Sequence, residues 1–357
     1  MRTLKKTLSL VLVVAMVLGL CVVGASAKNA VDDYKDADKI GDAYYEAVGV
    51  MTGIGVIKGM GDGILSPTGN YTRAQAAKII TYMLIGEKAA ESLVCTTAPF
   101  EDVAANHWAA GYIAFCVEQG IINGMSATTF EPEGPLTGFQ WAKMLLCAVG
   151  FGSQGEFTGN SWSLNTAKVA HNVGVFTGDL AGADHVALQR QQAMLYAFNV
   201  LTTVPQVTYA PGITGYIEGV ENYKPVTDLG KTLGESIYKL YNVTGVIVGN
   251  EAMGDAATVV SSDYTTAKAF ANIKASTGLD MMYHAAKIWF TGTDAVYTNK
   301  VLTTAASGTA VFVTDLAKVT EYECTEIAAG LKAVGKLTDY DIGNVKVTGN
   351  KAVPYEF

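Results

Sequence analysis

Thr72-Arg73-Ala74-Gln75 puts a cation where a helix is due to begin. Threonine followed three residues later by glutamine is a capping box: the Thr72 hydroxyl and the Gln75 amide satisfy backbone N–H groups that a first turn leaves without partners. A positive charge at that end opposes the helix macrodipole, so Arg73 reads in two ways, as a solvated first-turn residue or as one kept for an anion. A guanidinium beside free N–H groups grips a carboxylate at two points. Trp108 is also two-sided: a core anchor of its helix, the favoured reading, or an indole face laid on the C–H face of a sugar. Asp102 reads as a helix cap, with a hydrogen bond to a sugar hydroxyl as the alternative.

Catalysis is poorly provided for. His107, His171, His185 and His284 show no paired metal-ligand spacing, and there is no His-Glu-x-x-His. Gly152-Ser153-Gln154-Gly155 is one glycine short of a nucleophile elbow. Gly53-x-Gly55 and Gly61-Asp62-Gly63 lack both a preceding parallel strand and a P-loop lysine-serine. Asp255, Asp263, Asp280 and Asp294 are scattered without pattern. The reading is a binding protein with no catalytic residues, no metal and no cofactor. A hydrolase in the C-terminal part is the least favoured alternative, because glycosidase carboxylate pairs leave no signature in spacing.

The elements that must hold these residues come as repeats. Residues 100–151 contain Phe100-Glu-Asp102-Val103, His107-Trp108-Ala109, Gly120-Ile-Ile-Asn-Gly124, Phe130-Glu-Pro132 and Thr137-Gly-Phe-Gln140. Gly55-Val-Ile-Lys-Gly59 lies 65 residues before the Gly120 motif, and the same offset aligns Pro67, Thr72 and Gln75 with Pro132, Thr137 and Gln140. Gly174-Val-Phe-Thr-Gly178 lies 54 residues after it and brings Trp162 onto Trp108. The last helix of this third copy starts two residues early, at Gln189-Arg190-Gln191-Gln192.

Each unit reads as helix, loop, helix. Trp108, Tyr112, Ile113, Phe115 and Cys116 recur at helical spacing, and Gly120 suits the left-handed position after a helix end. Ile121-Ile122 suggests a short extended pass, and Phe130 a plug for the loop. Trp141, Met144, Leu145 and Ala148 form the apolar face of the second helix. The first unit repeats this with Tyr44, Tyr45, Val48 and Met51, then a helix over 76–86; the third uses Trp162, Val169 and Val173, then a helix over 190–201. One such unit buries too little surface to stand alone, so the three must pack together.

The order Phe-x-Asp-Val, His-Trp-Ala, Gly-Ile-Ile-x-Gly, Phe-x-Pro, Thr-Arg-Ala-(Gln) resembles the S-layer homology module, a family usually found in threes. The resemblance covers residues 34–200: it is specific in the middle unit, good in the first and weak in the third. It implies a pseudo-threefold helical bundle that attaches, without a covalent bond, to an anionic, often pyruvylated, secondary cell-wall polysaccharide. It gives Arg73 the role of contacting the glycan's acidic group, and Arg190 the same role less securely. Trp108, Asp102, Thr72 and Gln75 complete the implied contact set. Gly138 stands where the middle unit's arginine belongs, Gln75 replaces a glutamate, and Ala43 occupies the first unit's Trp108 position.

Residues 1–27 read as an export signal: Arg2, Lys5 and Lys6, an apolar run to Val23, then Ala25-Ser26-Ala27. Leu20 before Cys21 disfavours a lipoprotein site, and the small-residue motif favours cleavage over a retained anchor. Removing those three positive charges takes the net charge from −8 to −11, which argues against nucleic acid or an anionic surface as partner. Cys95, Cys116, Cys147 and Cys324 match no metal pattern; buried free thiols are expected, and a Cys116–Cys147 bridge stays open.

The expected domains are repeats at 28–90, 95–152 and 157–204, a linker at 205–211 marked by Pro205 and Pro211, and a mainly β module at 212–357. In the last, 231–241 suggests a short helix, and 243–248, 286–290, 309–313 and 345–347 suggest strands. The fold class is thus a mainly α N-terminal part of three repeats followed by a mainly β domain. The expected function is a secreted, wall-anchored surface protein with a structural or S-layer-like role and possible self-association. It has no membrane contact after signal cleavage. The alternative is a repeat scaffold without glycan binding that carries an adhesin-like β domain.

Overall fold

The computed structural model describes residues 29–153, 155–179, 187–208, 227–228, 230–249, 257–261, 270–275, 277, 281, 284–298, 301–316, 345–348 and 351–354. The export signal, the third repeat's loop over 180–186 and Cys324 lie outside the described residues.

Three helix pairs build the N-terminal part: α1 (Asp42–Gly53) with α2 (Arg73–Glu91), α3 (Ala110–Glu118) with α4 (Gly138–Ala148), and α5 (Trp162–Val173) with α6 (Arg190–Thr202). The capping boxes form at Thr72/Gln75 and Thr137/Gln140, and Gln189/Gln192 makes a third. α2 runs past the expected 86 because Gly86, at φ 74°, kinks the helix without ending it. Phe130 fills its loop at 0% exposure, and Trp141 is fully buried, edge-on to Tyr71 at 5.2 Å.

The stretches just before the three second helices meet one another. The Tyr71 N–H donates to the Leu188 carbonyl (2.9 Å), the Leu188 N–H to Leu136 (2.8 Å) and the Leu136 N–H to Tyr71 (3.0 Å), closing a ring. All three side chains are buried.

Two expectations fail here. Ile121 and Ile122 are not an extended pass: both N–H groups fold back onto the Cys116 carbonyl, so the chain wraps the helix end and buries both side chains. Trp108 is not a core anchor. It precedes α3 and is 51% exposed, its ring leaning on His107. Cys95, Cys116 and Cys147 are free thiols, so no Cys116–Cys147 bridge exists. Burial at 0% exposure pushes the Cys116 thiol up to about 12.

The C-terminal part is a sheet structure. β1 (Val207–Thr208) pairs with β2 (Thr227–Asp228), a π-turn spans Gly234–Tyr238 where a short helix is expected, and β3 (Leu240–Gly249) follows. With β4 (Ala257–Ser261), β5 (Phe270–Lys274), β6 (Ala285–Thr293) and β9 (Ala306–Asp315), β3 closes a barrel in the order β3-β4-β5-β9-β6. Only β5 and β9 run parallel; the other pairs are antiparallel. β7 (Val296–Thr298) with β8 (Val301–Thr304), and β10 (Val345–Thr348) with β11 (Lys351–Pro354), form two hairpins. Ile247, Ile273, Ile288 and Phe290 lie in the barrel core.

The two parts share one core. Trp289 and Phe312 of the barrel belong to the same buried cluster as the helices. Gly49 and Gly53, one turn apart on α1, press against Phe312 and Val311; an added Cβ would overlap the Phe312 ring at one position and the Val311 carbonyl at the other. The segment expected to be a linker is packed as well: Val207 is 7% exposed, and its N–H bonds the Val149 carbonyl at 2.9 Å.

Candidate functional site

Both arginines cross from their own repeat into the loop of another. Arg73, first residue of α2, sends its Nε to the Phe130 carbonyl (2.7 Å) and an Nη to the Asn123 carbonyl (2.9 Å), with its guanidinium 4.4 Å from the Phe130 ring centroid. Arg190, first residue of α6, bonds the Leu65 carbonyl (3.0 Å) and the Gln75 side chain (3.0 Å). Burial pushes both guanidinium pKa values down; Glu131 and Asp102 counter it at Arg73, and Tyr71 and Asp36 at Arg190. Neither is the solvated first-turn residue that sequence allows, at 8% and 4% exposure.

The helix start offers less to an anion than expected. The Arg73 and Ala74 N–H groups are taken by the Gly134 and Pro132 carbonyls, and those of Arg190 and Gln191 by Gly69 and Pro67. The Gln75 N–H goes to the Thr72 hydroxyl. These bonds tie each helix start to the neighbouring repeat, so free backbone donors there do not exist to share a ligand's charge.

Asp102 does not cap a helix. Its two carboxylate oxygens accept the N–H groups of Phe130 (2.8 Å) and Glu131 (2.7 Å), holding Glu131 at a left-handed φ of 61°. Asp36 does the same in the first repeat, with Leu65 and Ser66 at 2.8 Å each and Ser66 at φ 56°. At Asp102 burial acts to raise the pKa, but the hydrogen bonds and the Arg73 charge outweigh it and hold the carboxyl below its ordinary range. Arg73, Phe130 and Asp102 are thereby brought together in one loop. Thr72 and Gln75 sit at the other arginine's end: Gln75 bonds both Arg190 and the Thr72 N–H.

Residues missed as ligands by sequence reasoning lie along the same seams. Lys78 of α2 rests over the Tyr82 and Tyr112 rings at 5.3 and 6.0 Å, and Lys143 of α4 over Trp162 at 5.4 Å. Both lysines stand six residues after the capping threonine, a spacing visible in sequence once the repeats are aligned. Among the described residues there is no group of three or more His, Cys, Asp and Glu that could hold a metal, and no helix long and apolar enough to cross a membrane.

Comparison with known proteins agrees with this layout. The sequence model of the S-layer homology domain matches residues 33–77 and 99–142, the first two repeats. The chain is 30% identical over 213 residues to a cell surface protein of Thermoanaerobacter kivui, covering 59% of this chain and 26% of that one. It is 37% identical over 152 residues to the surface-layer 125 kDa protein of Lysinibacillus sphaericus, covering 42% and 12%. It is 28% identical over 185 residues to S-layer protein EA1 of Bacillus anthracis, covering 49% and 20%. The chain thus spans about a quarter or less of the length of these curated relatives. It carries S-layer homology domains and is a secreted protein of the cell wall and cell surface.

Proposed function

We propose that the three repeats form a pseudo-threefold bundle that anchors the chain to an acidic secondary cell-wall polysaccharide, and that the protein serves as a non-enzymatic, S-layer-like component able to self-associate. The ring through Tyr71, Leu136 and Leu188 supplies the pseudo-axis, with α2, α4 and α6 leaving it in turn. The observation that carries the binding reading is the placement of Arg73 across a repeat boundary, beside Asp102 and the Phe130 loop. There it presents residual positive charge in a setting where burial strengthens electrostatic attraction. Trp108, half exposed nearby in sequence, supplies an indole face for a sugar ring. Pyruvyl groups are the acidic substituents this arrangement would suit.

A second reading has support of its own. Arg73 and Arg190 bond backbone carbonyls of neighbouring loops, which is what a purely structural staple would do. Co-sedimentation of residues 28–357 with wall sacculi, before and after acid extraction of their secondary polymer, separates the two. Anchoring predicts binding that disappears with the polymer and falls about tenfold in Arg73→Lys, which keeps the charge but loses the planar fork. Equal sedimentation with both preparations, or with neither, would leave the scaffold reading in place.

A further inference from the structure

The repeats do not present three equal seams. Gln75, Lys78 and Tyr82 fall on one face of α2 at helical spacing, and Tyr112 of α3 faces them. Arg190 reaches this face from the third repeat through Gln75. Lys78 is half-buried and has no carboxylate within ion-pair distance among the described residues, whereas Lys58 is held by Glu87 at 2.5 Å and Glu91 at 2.8 Å. Burial pushes the Lys78 pKa down, with Lys58 and Arg190 adding to that and Glu91 and Glu87 opposing it.

The second seam repeats the design. Lys143 of α4 holds the position of Lys78, Trp162 of α5 takes the place of Tyr112, and Arg73 enters the second repeat's loop as Arg190 enters the first. Lys143 likewise has no ion pair among the described residues. Each seam therefore draws an arginine from one repeat, a lysine from the next and an aromatic ring from another.

The third seam is built differently. Leu195, at 6% exposure, stands where Lys78 and Lys143 stand, and Gly138 stands where an arginine would enter. Tyr44 donates to Asp179 at 2.8 Å and Gln192 donates to the same oxygen at 3.0 Å. This network from the first and third repeats closes the space with neutral donors and an apolar side chain.

We propose that Lys78 and Lys143 are the ligand-facing cations of two composite sites for acidic sugar residues, one per seam, and that the third seam binds none. The assignment rests on the anchoring reading above and deepens it. The arginines spend most of their donors on backbone carbonyls and so shape the seams. The lysines keep three donors each over an aromatic ring, a pairing that suits a sugar with one acidic edge and one apolar face.

The test is titration of the intact mature chain with purified, acid-extracted wall polymer, alongside Lys78→Gln, Lys143→Gln, the double variant and Leu195→Gln. Each single lysine change should weaken binding about tenfold, the loss of one charge-assisted hydrogen bond, and the double about a hundredfold. Lys78→Arg should restore most of the loss, and unchanged thermal midpoints would exclude unfolding as the cause. Leu195→Gln should leave affinity unaltered. Wild-type binding with an unaffected double variant would overturn this assignment and leave anchoring intact. A wild type that fails to bind the polymer would overturn both.

Discussion

At the scale of single residues, the loops are fixed by carboxylates bonded to backbone. Asp36 is 6% exposed and binds the Leu65 and Ser66 N–H groups. Burial acts to raise its pKa, yet those bonds, its own N–H and Lys39 leave it below the ordinary 3.8. Asp102 shifts in the same direction. In the window between the native values and 3.8 the unfolded chain binds more protons than the folded one, so stability rises with pH there. The stabilisation is complete above the unfolded value and is lost as pH falls through the native ones. Denaturant titrations between pH 6 and pH 2 should show that decline. An Asp36→Asn, Asp102→Asn double variant should be less stable near neutrality and should lose most of the slope these two carboxyls contribute. An unchanged slope in the double variant would mean that other carboxyls set it.

At the scale of elements, α1 is shaped by what lies against it. Gly49→Ala would force a methyl into the Phe312 ring, and Gly53→Ala one into the Val311 carbonyl. Each should cost about 1–3 kcal/mol, the usual penalty of overpacking, read as a lower denaturant midpoint with unchanged helix content. Gly63→Ala is a useful contrast, because its side has open space and only its φ of 72° resists the change. This contact also shows where sequence reasoning stops. The capping boxes, Phe130, Trp141 and the strands at 243–248 and 309–313 were legible, since each announces itself by local spacing or residue type. Gly49 and Gly53 read as ordinary helix glycines, because what makes them necessary lies more than 250 residues away in β9. Trp108 misled for a related reason: helical spacing assigns it to the apolar face, but α3 begins two residues later and turns that position outward. Arg73 was legible as an unusual charge, whereas its carbonyl partners belong to another repeat and no local pattern announces them.

At the scale of the whole molecule, the barrel is joined to the first repeat by polar as well as apolar contacts. Asn29 donates to the Val313 carbonyl at 3.0 Å and accepts the Val313 N–H at 2.7 Å, pairing with β9 as a short strand would. Glu46 of α1 binds Lys287 at 2.5 Å and the Trp289 indole N–H at 2.6 Å, while Phe198 of α6 meets the Trp289 ring edge-on at 5.3 Å. Asn29→Ala would leave two buried backbone groups of Val313 without partners and should cost about 2–4 kcal/mol, at 1–3 for each orphaned group less what relaxation recovers. Hydrogen exchange at the Val313 amide should accelerate more than exchange at Ile247 on the far strand β3. Equal acceleration at both would mean that the whole barrel loosens instead.

The Asn29–Val313 pair also has a meaning in time. The two residues are 284 positions apart, and the Tyr71–Leu188–Leu136 ring likewise waits for its third member. At about 5–20 residues per second, Val313 is made roughly 15–60 s after Asn29. For a chain sent outward with its first residues leading, the opening segment has no docking partner until nearly everything behind it has been synthesised. Late closure of this kind keeps the polypeptide open, and therefore threadable, while it leaves the cell.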